Sequence, residues 1–448
     1  MGGVVVFIIT EHSQERRMKK YDSPNQKFIK FHLWIMMKHW ILLNFFILSL
    51  GSCVQEPSDK SLVTPKYIKW EVVLPENDDF ITIYNPIIFE DLVIIPIEEQ
   101  GVLLALDKGS GEEIWRWTEA RDTYNGADGF GEKNYIYDGV LVTSQNNLTY
   151  GIDVTNGETL WHDRNIDSGA SFVYGYDQTF VKMFNEYREF RSLRIGDVLT
   201  GEMEEVYRFE REDSLNISSN IPMLFEHNGN ILSTFNKIKA LSTVDGYFQN
   251  SWVNLFDINT KDLLWTTDSI PKEYQLDVTA GLRPIYHRGK ILMCNRSIYA
   301  YDVDTGKLDW WNNSHSNTFA WSTYLTAADG KVFGNNENGY MIALDVETGA
   351  ELWRTDTGGT GSRIEHHDEK LYIAQITGYY SEELNAYSPK SSLLVLDANT
   401  GEVLHHLQSP YEDDGDHRYW DDIITVDQET GLIYTADHKK VMCIELDD

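Results

Sequence analysis

The sequence predicts an all-β fold: an eight-bladed β-propeller of four-stranded antiparallel blades, its ring closed by pairing of the N- and C-terminal strands. Three observations predict it. A motif returns at intervals of 43 to 60 residues, each copy contains the same hairpin signal, and the two ends of the chain carry complementary strands.

The repeat comes first. Asp107 leads to Gly111 and Trp115, Asp153 to Gly157 and Trp161, Asp302 to Gly306 and Trp310, and Asp345 to Gly349 and Trp353. Three copies depart from it. Asp197 and Gly201 are followed by Glu205 where tryptophan is expected, Asp257 and Trp265 flank Lys261 in place of glycine, and Asp397 and Gly401 are followed by His405. Apolar and polar residues alternate up to each Asp, the period of a half-buried strand. The Asp-x-x-Thr-Gly segment that follows is a hairpin, with Asp able to accept backbone N–H bonds two residues on and Gly able to take positive φ. Trp buries a large ring whose N–H still needs an acceptor, and it is placed to pack between neighbouring blades. Upstream lie two more strands joined by a turn, as in Ile136–Val142 and Ile285–Leu292, which makes four strands per copy.

The ends complete the ring. Val441–Glu445 reaches the anchor position 48 residues after Asp397 and then lacks its tryptophan strand. Tyr67–Val73, with Trp70, supplies one that has no partner of its own. Pairing them removes open sheet edges.

The recurring Ala/Leu-x-Asp-x-x-Thr-Gly-x-x-x-Trp pattern resembles that of the pyrroloquinoline-quinone-like (PQQ-like) propellers over residues 66–448. That family contains quinoprotein dehydrogenases and non-catalytic BamB-like lipoproteins. The dehydrogenase branch implies two adjacent cysteines, a calcium site and a catalytic Asp. Cys53, Cys294 and Cys443 are nowhere adjacent, and no ligand of that set can be assigned, so neither a cofactor nor catalysis is expected. The resemblance favours the BamB-like branch.

The N-terminal residues read differently. Residues 1–35 form an extension that precedes a complete export signal, 36–52. Met36-Met37-Lys38-His39 is its basic start, and Trp40–Leu50 is an apolar run too short to span a bilayer. Leu50-Gly51-Ser52-Cys53 resembles the lipobox of bacterial lipoproteins, with Cys53 as the attachment site for lipid. Polar residues 53–65 then suit a flexible tether.

A net charge of −32 repels phosphate backbones and argues against nucleic-acid partners. Cys294 and Cys443 lie in apolar strand contexts and read as buried free thiols. Glu365-His366-His367-Asp368-Glu369 resembles a metal cluster but falls at an inter-strand turn, so a solvated hairpin is expected. The acidic run with Asp413, Asp414, Asp416, Asp421 and Asp422 is a weak cation candidate, because it matches no calcium-loop spacing. Two insertions stand out as recognition loops, one carrying Tyr247, Phe248 and Trp252, the other Tyr379, Tyr380 and Tyr387. The expected function is a lipid-anchored, non-enzymatic scaffold at the bacterial cell envelope, on the periplasmic or surface face of the outer membrane. It would bind envelope proteins; the alternative is a surface lipoprotein that binds a glycan through the loop aromatics.

Overall fold

In the computed structural model, alternating strands pair into eight separate antiparallel sheets, each running from an inner strand to an outer one. The described residues are 66–446, less the segments 75–84, 98–100, 120–133, 146–147, 164–172, 187–189, 211–215, 220–221, 244–245, 268–283, 295–296, 315–324, 337–338, 359, 362, 382–385, 409–422 and 437–439. Blade 1 comprises Ile87–Phe89, Leu92–Ile97, Val102–Asp107 and Glu113–Trp117. Blade 2 runs from Tyr135–Tyr137 to Thr159–Asp163, blade 3 from Val173–Tyr176 to Met203–Glu210, and blade 4 from Met223–His227 to Asp262–Thr266. Blade 5 runs from Ile285–His287 to Leu308–Asn312, blade 6 from Thr326–Ala328 to Glu351–Asp356, and blade 7 from Glu365–His367 to Val403–Gln408. Blade 8 is composite: Thr425–Val426, Ile433–Ala436 and Lys440–Ile444 take Ile68–Val73 as their outer strand. Ile68 pairs with Ile444 and Trp70 with Cys443, which closes the ring as the complementary ends predict.

The Asp hairpin has one geometry throughout. In blade 1 the Asp107 carboxylate accepts the N–H groups of Gly109 (3.1 Å) and Ser110 (2.7 Å), while its carbonyl accepts the Gly111 N–H at 2.8 Å. Threonine makes the same bonds in blade 6. Its hydroxyl and N–H, from Thr348, hold the Asp345 carboxyl below the usual carboxylate range. In blades 2 and 4 to 7 the inner turns are two-residue hairpins with both central residues at positive φ, as at Asp329 (50°) and Gly330 (75°), a twist that matches the strands they join.

Each tryptophan of the motif closes on the next blade. The Trp115 ring lies against Gly157, where a Cβ would come within 2.7 Å of it, and its Nε1 donates to the Val154 carbonyl at 2.9 Å. Trp70 stands likewise to Gly111, Trp161 to Gly201, Trp265 to Gly306, Trp310 to Gly349 and Trp353 to Gly401. The indole N–H of each donates to the carbonyl of the residue after the hairpin Asp, at 2.8 to 3.1 Å. Glycine is required twice over at these corners, by positive φ and by the ring above it. Gly157→Ala is therefore expected to destabilise the protein by about 2–3 kcal/mol, from strain at φ +76° plus overpacking. Thermal unfolding against Gly139→Ala, where nothing lies within 4 Å of the added carbon, separates the two contributions.

Apolar burial follows the same plan, with one cluster at each inter-blade seam. Ile94, Leu103, Ala105 and Trp115 of blade 1, for example, meet Leu141, Tyr150 and Ile152 of blade 2. Cys294 and Cys443 are buried, in different blades and in no disulfide, as their contexts predict.

Blade 3 corrects the sequence alignment. In blades 1, 2 and 4 to 7 the outer strand bulges so that the motif Trp, or His405, pairs with the residue two before the Asp, as Trp115 does with Ala105. In blade 3 the bulge moves to Leu193/Arg194, and Glu204 pairs with Ile195. Glu204, not Glu205, therefore occupies the tryptophan position. Its carboxylate meets Lys261, which stands in the glycine position of blade 4 at φ 61°, with Nζ 2.6 Å away. Glu205 instead binds Arg208, Oε1 to Nε at 2.7 Å.

Candidate functional site

The residue after the hairpin Asp is Val154, Val198, Ile258, Val303, Val346 or Ala398 in six blades, but Lys108 in blade 1. That lysine sits where the two chain ends meet. Its carbonyl accepts both the Trp70 indole N–H (3.1 Å) and the Tyr434 hydroxyl (3.1 Å). Its ammonium lies 3.0 Å from Asp427 Oδ2, the two side chains being 11% and 4% exposed. Burial alone would push the Asp427 carboxyl up. Hydrogen bonds from Thr430, Lys108 and the Glu429 N–H outweigh burial and hold it below its ordinary value. Asp427-Gln428-Glu429-Thr430-Gly431 repeats the hairpin motif, but between the two inner strands of blade 8, a place no other blade uses for it.

Beside this pair, where blades 7, 8, 1 and 2 come together, lies a cavity of about 410 Å³ lined by Asn85, Asn134, Arg363, Thr425 and Glu429 among others. Arg363 Nη2 donates to the Thr425 hydroxyl (3.0 Å), which donates to the Pro86 carbonyl (2.8 Å). The lining carries amides and charges of both signs but no histidine, serine or cysteine. Such a wall suits structural ion pairing or a small polar guest.

The two insertions are β-structure, which corrects their reading as loops. In blade 4, Asn230–Thr243 pairs with Gly246–Asp257 without interruption from Leu232↔Asp257 to Thr243↔Gly246. In blade 7, Lys370–Ser381 pairs with Ala386–Asp397 from end to end. Tyr247, Phe248, Trp252, Tyr379, Tyr380 and Tyr387 are thus strand residues, with Tyr380 directly opposite Tyr387 and Phe248 opposite Leu241. Trp252 is half-buried opposite Lys237. Both hairpins run past the strands that flank them in their blades, since the outer strand reaches only Asn254 in blade 4 and Ser392 in blade 7. Asn216–Ser219 adds a third strand to the blade 4 extension by pairing with Lys237–Ala240. Pairing satisfies backbone groups that a loop of this length would leave to water, and no proline interrupts the blade 4 segment.

The remaining sequence expectations divide cleanly. Glu365–His367 is a strand turning through Asp368 and Glu369, as expected. Glu365 pairs with Arg363, and His366 stacks on Phe333 (centroids 6.3 Å apart). No group of three or more metal-ligating side chains occurs among the described residues. Cys53, the signal segment, and Asp413, Asp414, Asp416, Asp421 and Asp422 lie outside the described residues. Sequence reasoning missed Lys108 and Asp427. Aligning the residue after each hairpin Asp would have exposed the lysine among aliphatics.

The family model described as outer membrane protein assembly factor BamB matches residues 249–447. No curated protein sequence matches the chain. Among solved structures, the computationally designed Ika8 protein is similar at 13% identity and TM-score 0.56, over 84% of this chain and 98% of that one. BamB from Moraxella catarrhalis is similar at 14% identity and TM-score 0.50, over 85% and 97%. The quinohemoprotein alcohol dehydrogenase from Comamonas testosteroni is similar at 12% identity and TM-score 0.54, over 84% and 76%. Identities this low speak to the fold alone. The repeat and the closed ring of eight sheets make this chain an eight-bladed β-propeller, and its residues 249–447 are similar to the BamB family model.

Proposed function

We propose that the chain is a lipid-anchored, non-enzymatic propeller that serves as a protein-interaction scaffold at the bacterial cell envelope. The observation that carries this reading is the pair of hairpins in blades 4 and 7, each extended beyond its flanking strands on an otherwise uniform ring. Paired strands that carry aromatic residues offer contact area already ordered within each hairpin and lose little entropy on binding. The separation of Cys294 and Cys443 into different blades supports a non-catalytic role, because a vicinal pair is what the quinone-binding relatives require. The match to the BamB family model supports an envelope setting.

Two measurements test the proposal. Palmitate incorporation is expected in the wild type and lost in Cys53→Ala; equal labelling of both would refute the anchor. Solubilised envelope proteins are expected to be retained by the wild type. Retention should fall about tenfold when Ile238–Ser251 or Thr377–Lys390 is replaced by an Asn-Gly turn, a loss of about 1.4 kcal/mol. Retention on a polysaccharide matrix in place of proteins would favour a glycan binder. Dye-linked alcohol oxidation with added quinone and calcium would overturn the non-enzymatic reading.

A further inference from the structure

Six of the eight seams are fastened at their outer rim by a tryptophan seated on the next blade's glycine, and two are not. At the seam between blades 3 and 4 the fastener is Glu204–Lys261, with side chains 59% and 44% exposed. A solvated pair of this kind contributes far less than a buried indole. At the seam between blades 7 and 8, His405 takes the tryptophan position opposite Val395. The corner it faces holds no glycine hairpin. Two separate chain segments form that corner, the Glu445 N–H donating to the Tyr67 carbonyl at 2.9 Å.

The substitutions come in pairs. Where the tryptophan is lost, the glycine it would cover is lost as well, in the following blade. The two unfastened seams are also four blades apart, so they divide the circle into blades 8, 1, 2 and 3 and blades 4, 5, 6 and 7. Both keep an apolar cluster along the strands beyond that corner: Leu193, Phe235 and Phe256 with Tyr207 of the blade 3 outer strand at one, Val395, Ile424 and Met442 with Ile68 of the blade 8 outer strand at the other.

We infer that the propeller flexes as two four-blade halves, opening at the outer rims of the 3/4 and 7/8 seams and hinging on the apolar clusters inside them. The fastened seams resist because a stacked ring and its hydrogen bond must part together, whereas an exposed ion pair separates into water with little penalty. The two long hairpins arise from blades 4 and 7, the end blades of one half. Opening therefore moves each hairpin relative to the blade across its seam, blade 3 or blade 8. The inference concerns the ring itself and does not depend on the scaffold role or the lipid anchor.

Electron–electron spin-distance measurements on the full chain test it, in a Cys53→Ala background where the buried Cys294 and Cys443 stay unlabelled. Labels at Glu202→Cys and Asp262→Cys span the 3/4 seam, and Glu112→Cys with Glu158→Cys spans the fastened 1/2 seam at equivalent hairpin positions. Lys69→Cys with Glu402→Cys spans the 7/8 seam; all six positions are exposed. The expected distributions are about twice as wide across 3/4 and 7/8 as across 1/2, as for two packed bodies in exchange. Installing the fastener with Glu204→Trp and Lys261→Gly is expected to narrow the 3/4 distribution to the 1/2 width. Equal widths at all three seams would overturn the inference. So would a wide 3/4 distribution that the installed pair leaves unchanged in a protein of wild-type circular dichroism.

Discussion

Trp70→Ala is expected to lower stability by about 3–5 kcal/mol, at the upper end for a single aromatic truncation. The ring lies on Gly111, sits in a tilted contact with Tyr434 (centroids 5.9 Å apart), and donates its N–H to the Lys108 carbonyl. Truncation removes all three at the seam where blade 8 meets blade 1. It also weakens the hold on Ile68–Val73, the strand that completes blade 8. The midpoint of urea unfolding should therefore fall, and trypsin should cut at Lys66 and Lys69 sooner than in the wild type. Trp115→Ala removes an equivalent indole between two blades of continuous chain. It should lower the midpoint similarly without exposing the N-terminal strand. Protection of Lys66 and Lys69 in Trp70→Ala would show that closure depends on backbone pairing alone.

Asp427→Ala is expected to be as severe, about 3–5 kcal/mol, because it leaves the buried Lys108 ammonium only the solvent-exposed Glu429 carboxylate, 4.0 Å away, as counter-charge. The pair itself need not be strongly stabilising, since desolvating two charges offsets most of their attraction. Lys108→Met combined with Asp427→Leu should therefore recover most of the loss. The pH dependence has a definite sign. Asp427 holds its proton less tightly when folded than the roughly 3.9 of a free side chain. Its contribution is present above that value and disappears as pH falls through the lower folded-state pKa. Wild type should lose stability on acidification through this range more steeply than the double variant, as read from urea midpoints at pH 7, 4 and 3. Parallel losses in the two proteins would remove the pair from the account of acid unfolding.

The sequence made the repeat, the hairpins and the closure legible because each is written locally. Asp302 binds Thr305, only three residues away, so both partners of that bond stand in one short stretch of sequence. The same locality explains what was misread. Glu205 has the right spacing for the tryptophan position. Spacing cannot say where an outer strand bulges, and a bulge two residues along puts Glu204 there instead. The insertions looked like loops because they lengthen the gap between anchors; only the register shows that both arms lengthen equally and pair throughout. Lys108 was legible in principle, as a lone cation among aliphatics, but its partner Asp427 lies on the far side of the ring closure.

By itself, then, the amino-acid order determined the blade unit, the number of blades and the joining of the termini, since alternation, a turn residue and an aromatic anchor act within a few residues of one another. Tertiary structure alone decided which seams are fastened, which glutamate faces Lys261, and how Lys108 and Asp427 close the circle. Those outcomes depend on side chains brought together from neighbouring blades, where packing rather than local bonding selects the register.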